Sequence, residues 1–294
     1  MIKEKRTAII LCGGKGTRLG ALGNRIPKTL VKIHKKEILW FMINFLKKNN
    51  FDHIILPLGY RGNQIRNFIN KNKNFDLSID QVNTGENTKI GLRIPKVLKR
   101  ISSSDVLIIN GDSILNFDLN KIFNKHVRNK YDVTFLSNEN QYQFGTVCLQ
   151  GSKIVDFKRN IIFDSVNVRK KKNYIAYNYA GIIIIKTKKL LKHSKIFKKS
   201  DNFEKDFYPI LIKRYKSNLV KIDGFFHSVD NMKDIYIANH KINFYGGHRK
   251  SQNGEYFNPT DIYLKLNSSE KLKFHLPAGK FNIYEMKEKL VLFL

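Results

Sequence analysis

The sequence predicts an α/β protein, a mixed and mostly parallel sheet flanked by helices, with a small β-rich extension at its C-terminal end. Three observations predict it. Apolar runs of strand length alternate with stretches of helical periodicity through most of the 294 residues, the pattern of repeated βα units. Two of those runs, residues 8–11 and Asp105–Asn110, end in glycine-bearing turns, Gly13-Gly14-Lys15-Gly16 and Gly111-Asp112. In open α/β sheets ligands lie beyond the carboxyl ends of the strands, so both turns are expected on one functional edge. After residue 245 the pattern changes. Gly246-Gly247 and Ser251-Gln252-Asn253-Gly254 read as a linker, which divides the chain into residues 1–245 and a β-rich extension, 246–294.

The elements follow in order. Residues 8–11 form a short apolar run, which reads as a buried parallel strand. Ile38–Lys48 reads as a helix, because Leu39, Met42, Ile43 and Leu46 recur at helical spacing and Trp40 and Phe41 broaden the apolar face. His53–Leu58 reads as a second strand and residues 64–70 as a short helix. Residues 79–82 read as a third strand, leading into a loop over 84–93. Asp105–Asn110 is a buried strand. From about residue 131 strands dominate, at 132–137, 144–149 and 153–157, with Gly151-Ser152 as the turn between the last two. Residues 179–186 read as another core strand. Residues 202–215 read as a helix, with Asn202 as N-cap and Glu204 and Asp206 in its first turn, where acidic groups meet the positive end of the helix dipole. Pro209 weakens that reading and is a candidate break. In the extension, residues 261–266, 271–276 and 280–286 read as strands, with a turn at Pro277-Ala278-Gly279. No hexapeptide repeat is visible there, and a packing or assembly element is expected rather than a second catalytic unit.

Composition narrows the function classes. No run approaches the ~20 apolar residues of a membrane span, and the basic N-terminus leads into a run too short for a secretory signal. A cytoplasmic protein is expected. Cys12 and Cys148 are the only cysteines, so neither a disulfide framework nor a cysteine metal cluster is encoded. Cys12, at the end of the first strand, reads as a small packed residue. The formal net charge is +30, which raises nucleic-acid binding as a reading. The lysines are spread along the chain, however, and no aromatic and basic RNA-recognition signature accompanies them. The charge reads as solvated faces that still attract polyanionic substrates.

The glycine turn carries the chemistry. Glycine lets backbone N–H groups approach an anion and tolerates positive φ. Lys15 and Arg18 bring positive charge to it, and Pro27-Lys28 follows. The combination suggests a cradle for a triphosphate. It is neither a dinucleotide fingerprint, since Leu19 stands at the third glycine position, nor a Walker A loop, since Gly16 follows Lys15.

Gly13-Gly14-Lys15-Gly16-Thr17-Arg18-Leu19 followed by Pro27-Lys28 resembles the signature of sugar-1-phosphate nucleotidyltransferases. Leu58-Gly59-Tyr60-Arg61-Gly62 and the segment from Asn83 to Arg93 resemble the glucose-1-phosphate cytidylyltransferase branch. Phe144-Gly145-Thr146-Val147, Phe203-Glu204-Lys205-Asp206-Phe207 and the segment from Gly224 to Asp230 resemble the heptose-1-phosphate guanylyltransferase branch. Over residues 7–240 the resemblance implies a Rossmann-like fold and transfer of a nucleotidyl group from an NTP, CTP ahead of GTP, to a sugar 1-phosphate. It also implies Mg²⁺. Asp112, in Asn110-Gly111-Asp112-Ser113, and Asp230 match the two metal positions, with Asp223 and Asp234 as neighbouring alternatives to Asp230.

Such a transfer needs alignment and neutralisation of charge rather than covalent work by the protein. Arg18 is expected on the β- and γ-phosphates or the departing pyrophosphate, because a guanidinium pairs two oxygens at once. Lys28 is expected on the α-phosphate or the incoming phosphate. The resemblance implies nucleotide contacts from Leu11, Gly13, Gly14, Lys15, Gly16, Thr17, Thr88, Arg93 and Gly111. Lys158 or Arg159 stands where relatives hold the sugar phosphate. Tyr179-Ala180-Gly181 stands where relatives read Asn-Gly-Gly or Asn-Ala-Gly, which leaves the sugar open. Other readings are a cytidylyltransferase acting on phosphocholine, a non-catalytic nucleotide binder and a nucleic-acid-binding protein. A homo-oligomer is compatible with all of them.

Overall fold

A computed structural model of the chain describes residues 5–163, 165–167, 175–193, 203–241, 275–276 and 279–280. Strands β1 (Thr7–Leu11), β4 (His53–Leu58), β5 (Ser78–Asn83) and β6 (Asp105–Asn110) pair in parallel, in the order β5-β4-β1-β6. Beyond β6 the sheet turns mixed. Strand β12 (Ile175–Lys186) runs antiparallel to β6 and to β8 (Val133–Asn138), and β13 (Ser217–Lys221) pairs in parallel with β8. Two-residue strands β2 (Lys32–Ile33) and β3 (Lys36–Glu37) form a small hairpin.

The uniform apolar character of β1 has a structural reason. Alternate residues of a strand face opposite sides of the sheet. Ala8 and Ile10 join one core layer with Leu39, Met42, Ile43 and Leu46 of helix α1 (Ile38–Lys48). Ile9 and Leu11 join the other, with Ile94 and Val97 of α3 (Ile90–Val97). Both faces are covered, so both need apolar side chains. Helix α2 (Gly62–Lys71) buries Ile65, Phe68 and Ile69 against the first layer. Helix α4 (Leu119–Arg128) adds Leu119 and Phe123 there, and α5 (Thr187–Lys192) adds Leu190 to the second layer.

Several expectations change. The loop predicted over 84–93 is shorter, because α3 begins at Ile90. Gly91 and Pro95 weaken a helix locally, but burial of Ile94, Val97 and Leu98 outweighs them. Helix α6 (Phe203–Arg214) runs through Pro209 rather than breaking there. Phe207, Tyr208 and Leu211 are buried in the second layer and hold it. Strands β9 (Asn140–Gln150) and β10 (Lys153–Phe163) are longer than predicted and form their own antiparallel ribbon. Strands β7 (Ser113–Phe117) and β14 (Gly224–Ser228) and helix α7 (Met232–Lys241) were not predicted. In the extension, His275 pairs with Lys280 and Leu276 with Gly279, and the turn predicted over 277–279 falls mostly outside the described residues. The other strands predicted there lie outside the described residues. Among the described residues, no helix is long and apolar enough to cross a membrane.

Candidate active site

Strand topology assembles the site. Parallel pairing sets Leu11 opposite Asn110, so the Gly13 turn and Asp112 leave the sheet side by side. The N–H of Gly111 donates to the Leu11 carbonyl at 3.1 Å. Gly111 must lack a side chain, since a Cβ would stand 2.6 Å from that same carbonyl oxygen. Asp112 then leads into β7, which pairs antiparallel with β14 so that Ser113 faces Ser228. Asp230 lies just beyond β14, and the Val229 N–H donates to the Asp112 carbonyl at 2.8 Å. A short two-stranded ladder thereby brings positions 112 and 230 together.

Four predicted side chains meet there. Lys28 Nζ donates to Asp112 Oδ2 at 2.7 Å and to Asp230 Oδ1 at 2.8 Å. Arg18 Nη1 donates to the same Asp230 oxygen at 3.0 Å. The Lys28 side chain is only 17% exposed, whereas Arg18 is 76% exposed and able to swing toward a ligand. Burial alone raises the pKa of the Asp230 carboxyl. The hydrogen bond and charge of Lys28, with Arg18 behind it, more than offset this and hold it below the usual carboxylate range. Asp230 is the aspartate that joins Asp112. Asp234 instead accepts the backbone N–H groups of Asp230 and Asn231 at 2.8 and 3.0 Å, and Asp223 lines a separate cavity.

Two cavities meet at this cluster. One, of about 350 Å³, is lined by Leu11, Gly14, Gly16, Lys28, Ile90, Gly111 and Asp112. The other, of about 500 Å³, is lined by Arg18, Asp112, Asp230, Tyr179, Gly181 and the polar Asn138, Glu139 and Asn178. Asn110 and Asp112 border both. Gly181, at φ +71°, stands within a shift of the β12–β8 register. A Cβ there would come 2.5 Å from Asn110 Nδ2, so this glycine lets Asn110 keep its place between the cavities.

The remaining predicted residues divide. Lys15 and Thr17 are exposed on the turn. Cys12 is buried, and burial pushes its thiol up to about 12, as a packed residue requires. Thr88 lies outside both cavity linings, and its hydroxyl donates to the Thr84 carbonyl at 2.6 Å. Arg93, predicted as a nucleotide contact, is 1% exposed, and its guanidinium donates to oxygens of Gly13, Leu58, Thr84, Gly85 and Glu86. Lys158 lies on the β9–β10 ribbon, 61% exposed and paired with Asp156 at 3.1 Å, outside both linings. Tyr179 borders the larger cavity, but its hydroxyl shares a 2.8 Å hydrogen bond with Tyr208, and burial raises its pKa.

Glu204 stands in the sequence as a first-turn acid and as part of the Phe203–Phe207 resemblance, without a site role. It lines the smaller cavity, where burial and the charge of Asp112 raise its pKa. Its neighbour Asp206 had the same local appearance in the sequence, so only packing separates their roles.

Among the described residues, no group of three or more His, Cys, Asp or Glu side chains surrounds a single point. The donor set is two carboxylates that already hold a cation, the Lys28 ammonium, between them. Mg²⁺ is commonly held by one or two carboxylates together with substrate phosphates. Asp112 and Asp230 fit that pattern and do not fit a protein-only metal cage.

Comparisons with known proteins bear on the family and the fold. Residues 7–158 match the family described as nucleotidyl transferase. The D-glycero-alpha-D-manno-heptose 1-phosphate guanylyltransferase of Aneurinibacillus thermoaerophilus is 30% identical over 202 residues, 68% of this chain and 82% of its own. A Bacillus subtilis protein named "Probable glucose-1-phosphate cytidylyltransferase" is 27% identical over 179 residues, 54% of this chain and 70% of its own. The crystal structure of HddC from Yersinia pseudotuberculosis complexed with GMP-PN superposes with a TM-score of 0.57 at 23% identity, covering 80% of this chain and 99% of that one. This last likeness establishes the fold.

Proposed function

The chain belongs to the nucleotidyl transferase family, and from that premise we propose that it joins an NTP to a sugar 1-phosphate, releasing pyrophosphate. A phosphate oxygen of the sugar phosphate forms the new bond to the nucleotide α-phosphorus. The bond from that phosphorus to the bridging oxygen breaks, and pyrophosphate leaves with the electron pair. The observation that carries this reading is Lys28 bridging Asp112 and Asp230, beside Arg18, where the two cavities meet.

The smaller cavity, with its glycine turn and the apolar Leu11 and Ile90, suits a nucleotide. The larger one, with three asparagines and Glu139, suits the hydroxyls of a sugar. Lys28 aligns and neutralises the attacked phosphate, and Arg18 takes the leaving pyrophosphate. Mg²⁺ held by Asp112 and Asp230 would supply further charge neutralisation at the phosphates. Glu204, inside the nucleotide cavity, is suited to accept a hydrogen bond from a ribose or sugar hydroxyl.

Likeness to the heptose guanylyltransferases supports GTP with a heptose or hexose 1-phosphate. The segment from Asn83 to Arg93 and the Bacillus subtilis relative support CTP as the second reading. Pure protein incubated with each NTP, Mg²⁺ and a panel of sugar 1-phosphates plus phosphocholine tests all of these. One NTP–sugar pair should release pyrophosphate in step with product. Release from CTP and phosphocholine alone would replace the sugar with that acceptor, and no release from any pair would refute the assignment. EDTA should stop turnover, and added Mg²⁺ should restore it.

A further inference from the structure

We propose that Arg93 is a positioning residue that aims the glycine turn at the nucleotide without touching it, an inference that rests on the nucleotidyl-transfer reading. The guanidinium lies in a slot between two glycines. A Cβ on Gly13 would stand 2.5 Å from its Cζ, and a Cβ on Gly59 would collide with its Nη1. Nη2 donates to the Gly13 carbonyl at 2.9 Å and to the Glu86 carbonyl at 3.2 Å. Nη1 donates to Thr84 Oγ1 at 2.7 Å, the Gly85 carbonyl at 2.8 Å and the Leu58 carbonyl at 3.2 Å. One buried fork therefore ties together the chain beyond the carboxyl ends of three adjacent strands, β1, β4 and β5.

The consequence for the turn follows from peptide geometry. A trans peptide is planar, and its C=O and N–H point in opposite directions. Arg93, with help from the Tyr60 N–H at 3.2 Å, draws the Gly13 carbonyl inward. The N–H of Gly14 belongs to the same peptide plane and is turned the other way. Gly14 lines the smaller cavity, so the clamp presents that donor to an anion. Among the described residues, no carboxylate pairs with Arg93. Its electrostatic neighbour is the Cys12 thiol, kept neutral by burial. Its Nε is buried without a hydrogen-bond partner. Burying a cation on neutral oxygens alone is costly, and a planar fork reaches four carbonyls and a hydroxyl where an ammonium cannot. Gly59, which lines neither cavity, is accounted for by the same slot.

The test combines direct binding with hydrogen exchange in Arg93→Lys, Arg93→Met and Gly59→Ala. Titration calorimetry with GTP, CTP and inorganic pyrophosphate should show at least tenfold weaker binding in all three variants. KM for the sugar 1-phosphate should stay within twofold of the parent protein. Amide exchange should quicken in residues 12–17 and 84–88, while β6 and α1 keep their protection. Arg93→Lys keeps the charge, so wild-type nucleotide affinity in that variant overturns the clamp. So does exchange that quickens evenly through the sheet, which marks an ordinary core residue. Should Arg93→Met fail to fold, the two milder variants decide by the same criteria. Parent protein that binds none of the three anions refutes the nucleotide reading instead, and local quickening at both segments still distinguishes the clamp.

Discussion

At the scale of single residues, the site rests on groups whose roles can be separated by charge and shape. Asp112→Asn keeps the volume and removes the charge that faces Lys28. Turnover measured by pyrophosphate release should fall by about 10³-fold or more, a loss of roughly 4 kcal/mol of transition-state stabilisation. Melting temperature should stay within a few degrees, and retained activity would remove the metal assignment. Glu204→Gln tests a trade between stability and activity. The folded-state pKa of Glu204 is raised, by burial first and by Asp112 second. A raised carboxyl costs stability once the pH exceeds its ordinary value, and that cost disappears in acid. Glu204→Gln should therefore raise the melting temperature at pH 8 by about 2 °C, gain nothing at pH 3.5, and lower activity. Thermal melts at both pH values check the sign. Arg18, Lys28, Asp112 and Asp230 were legible in the sequence because their motif spacing is independent of packing. Arg93, expected as a ligand contact, is buried on protein oxygens instead, and a guanidinium turned inward and one turned outward are spelled identically. Lys158 was read from a motif position that the ribbon carries away from both cavities.

At the scale of elements, secondary structure was legible where periodicity was unbroken. Asp105–Asn110 and His53–Leu58 match the observed strands residue for residue, because buried parallel strands are continuous apolar runs. Strands β7 and β14 were missed, although their ladder is what joins Asp112 to Asp230. Pairing between segments a hundred residues apart leaves no local trace. Helix α4 could have been found. Asp118 caps it by accepting the Lys121 N–H at 2.7 Å, and Leu119, Ile122, Phe123 and His126 recur at helical spacing. That helix is also tied to the sheet by a polar link. His126 Nε2 lies 3.1 Å from Asp105 Oδ1 at the start of β6, and its Nδ1 lies 2.7 Å from Thr134 Oγ1 on β8. Burial raises the Asp105 pKa, but hydrogen bonds from His126 and Ser104 outweigh it and leave the carboxyl below its ordinary 3.8. Its stabilising contribution is present above that ordinary value and is lost as pH falls through the lower folded-state pKa. Asp105→Asn should cost about 1–3 kcal/mol at pH 7, the range for disturbing a buried hydrogen-bond pair. The gap between parent and variant in urea melts should shrink below pH 4, and a gap independent of pH would show that the charge of Asp105 is not involved.

At the scale of the whole molecule, the net charge of +30 acts on reactants that are all polyanions. The charged cluster does not itself supply this attraction, since Lys28 is engaged with Asp112 and Asp230 and Arg18 with Asp230. The field arises from lysines distributed over the surface, and salt screens such charges beyond about 8 Å at physiological ionic strength. A diffuse positive field concentrates an NTP near the site and speeds its encounter, but it leaves the aligned complex largely unchanged. Two kinetic constants should therefore respond differently to salt. Between 50 and 500 mM NaCl, kcat/KM for the NTP should fall by about tenfold, while kcat at saturating substrate should change by less than about twofold. Steady-state kinetics across a salt series, with K⁺ in place of Na⁺ as control for specific ion effects, measures both. Equal losses in kcat and kcat/KM would mean that salt reaches the Lys28–Asp112–Asp230 cluster directly. A flat kcat/KM would mean that the lysines are remote from the entry path. The same field binds nucleic acid only through counterion release, so any affinity for random RNA should decline steeply over this salt range while turnover at saturation persists. That divergence separates an enzyme with a charged surface from a protein whose partner is nucleic acid.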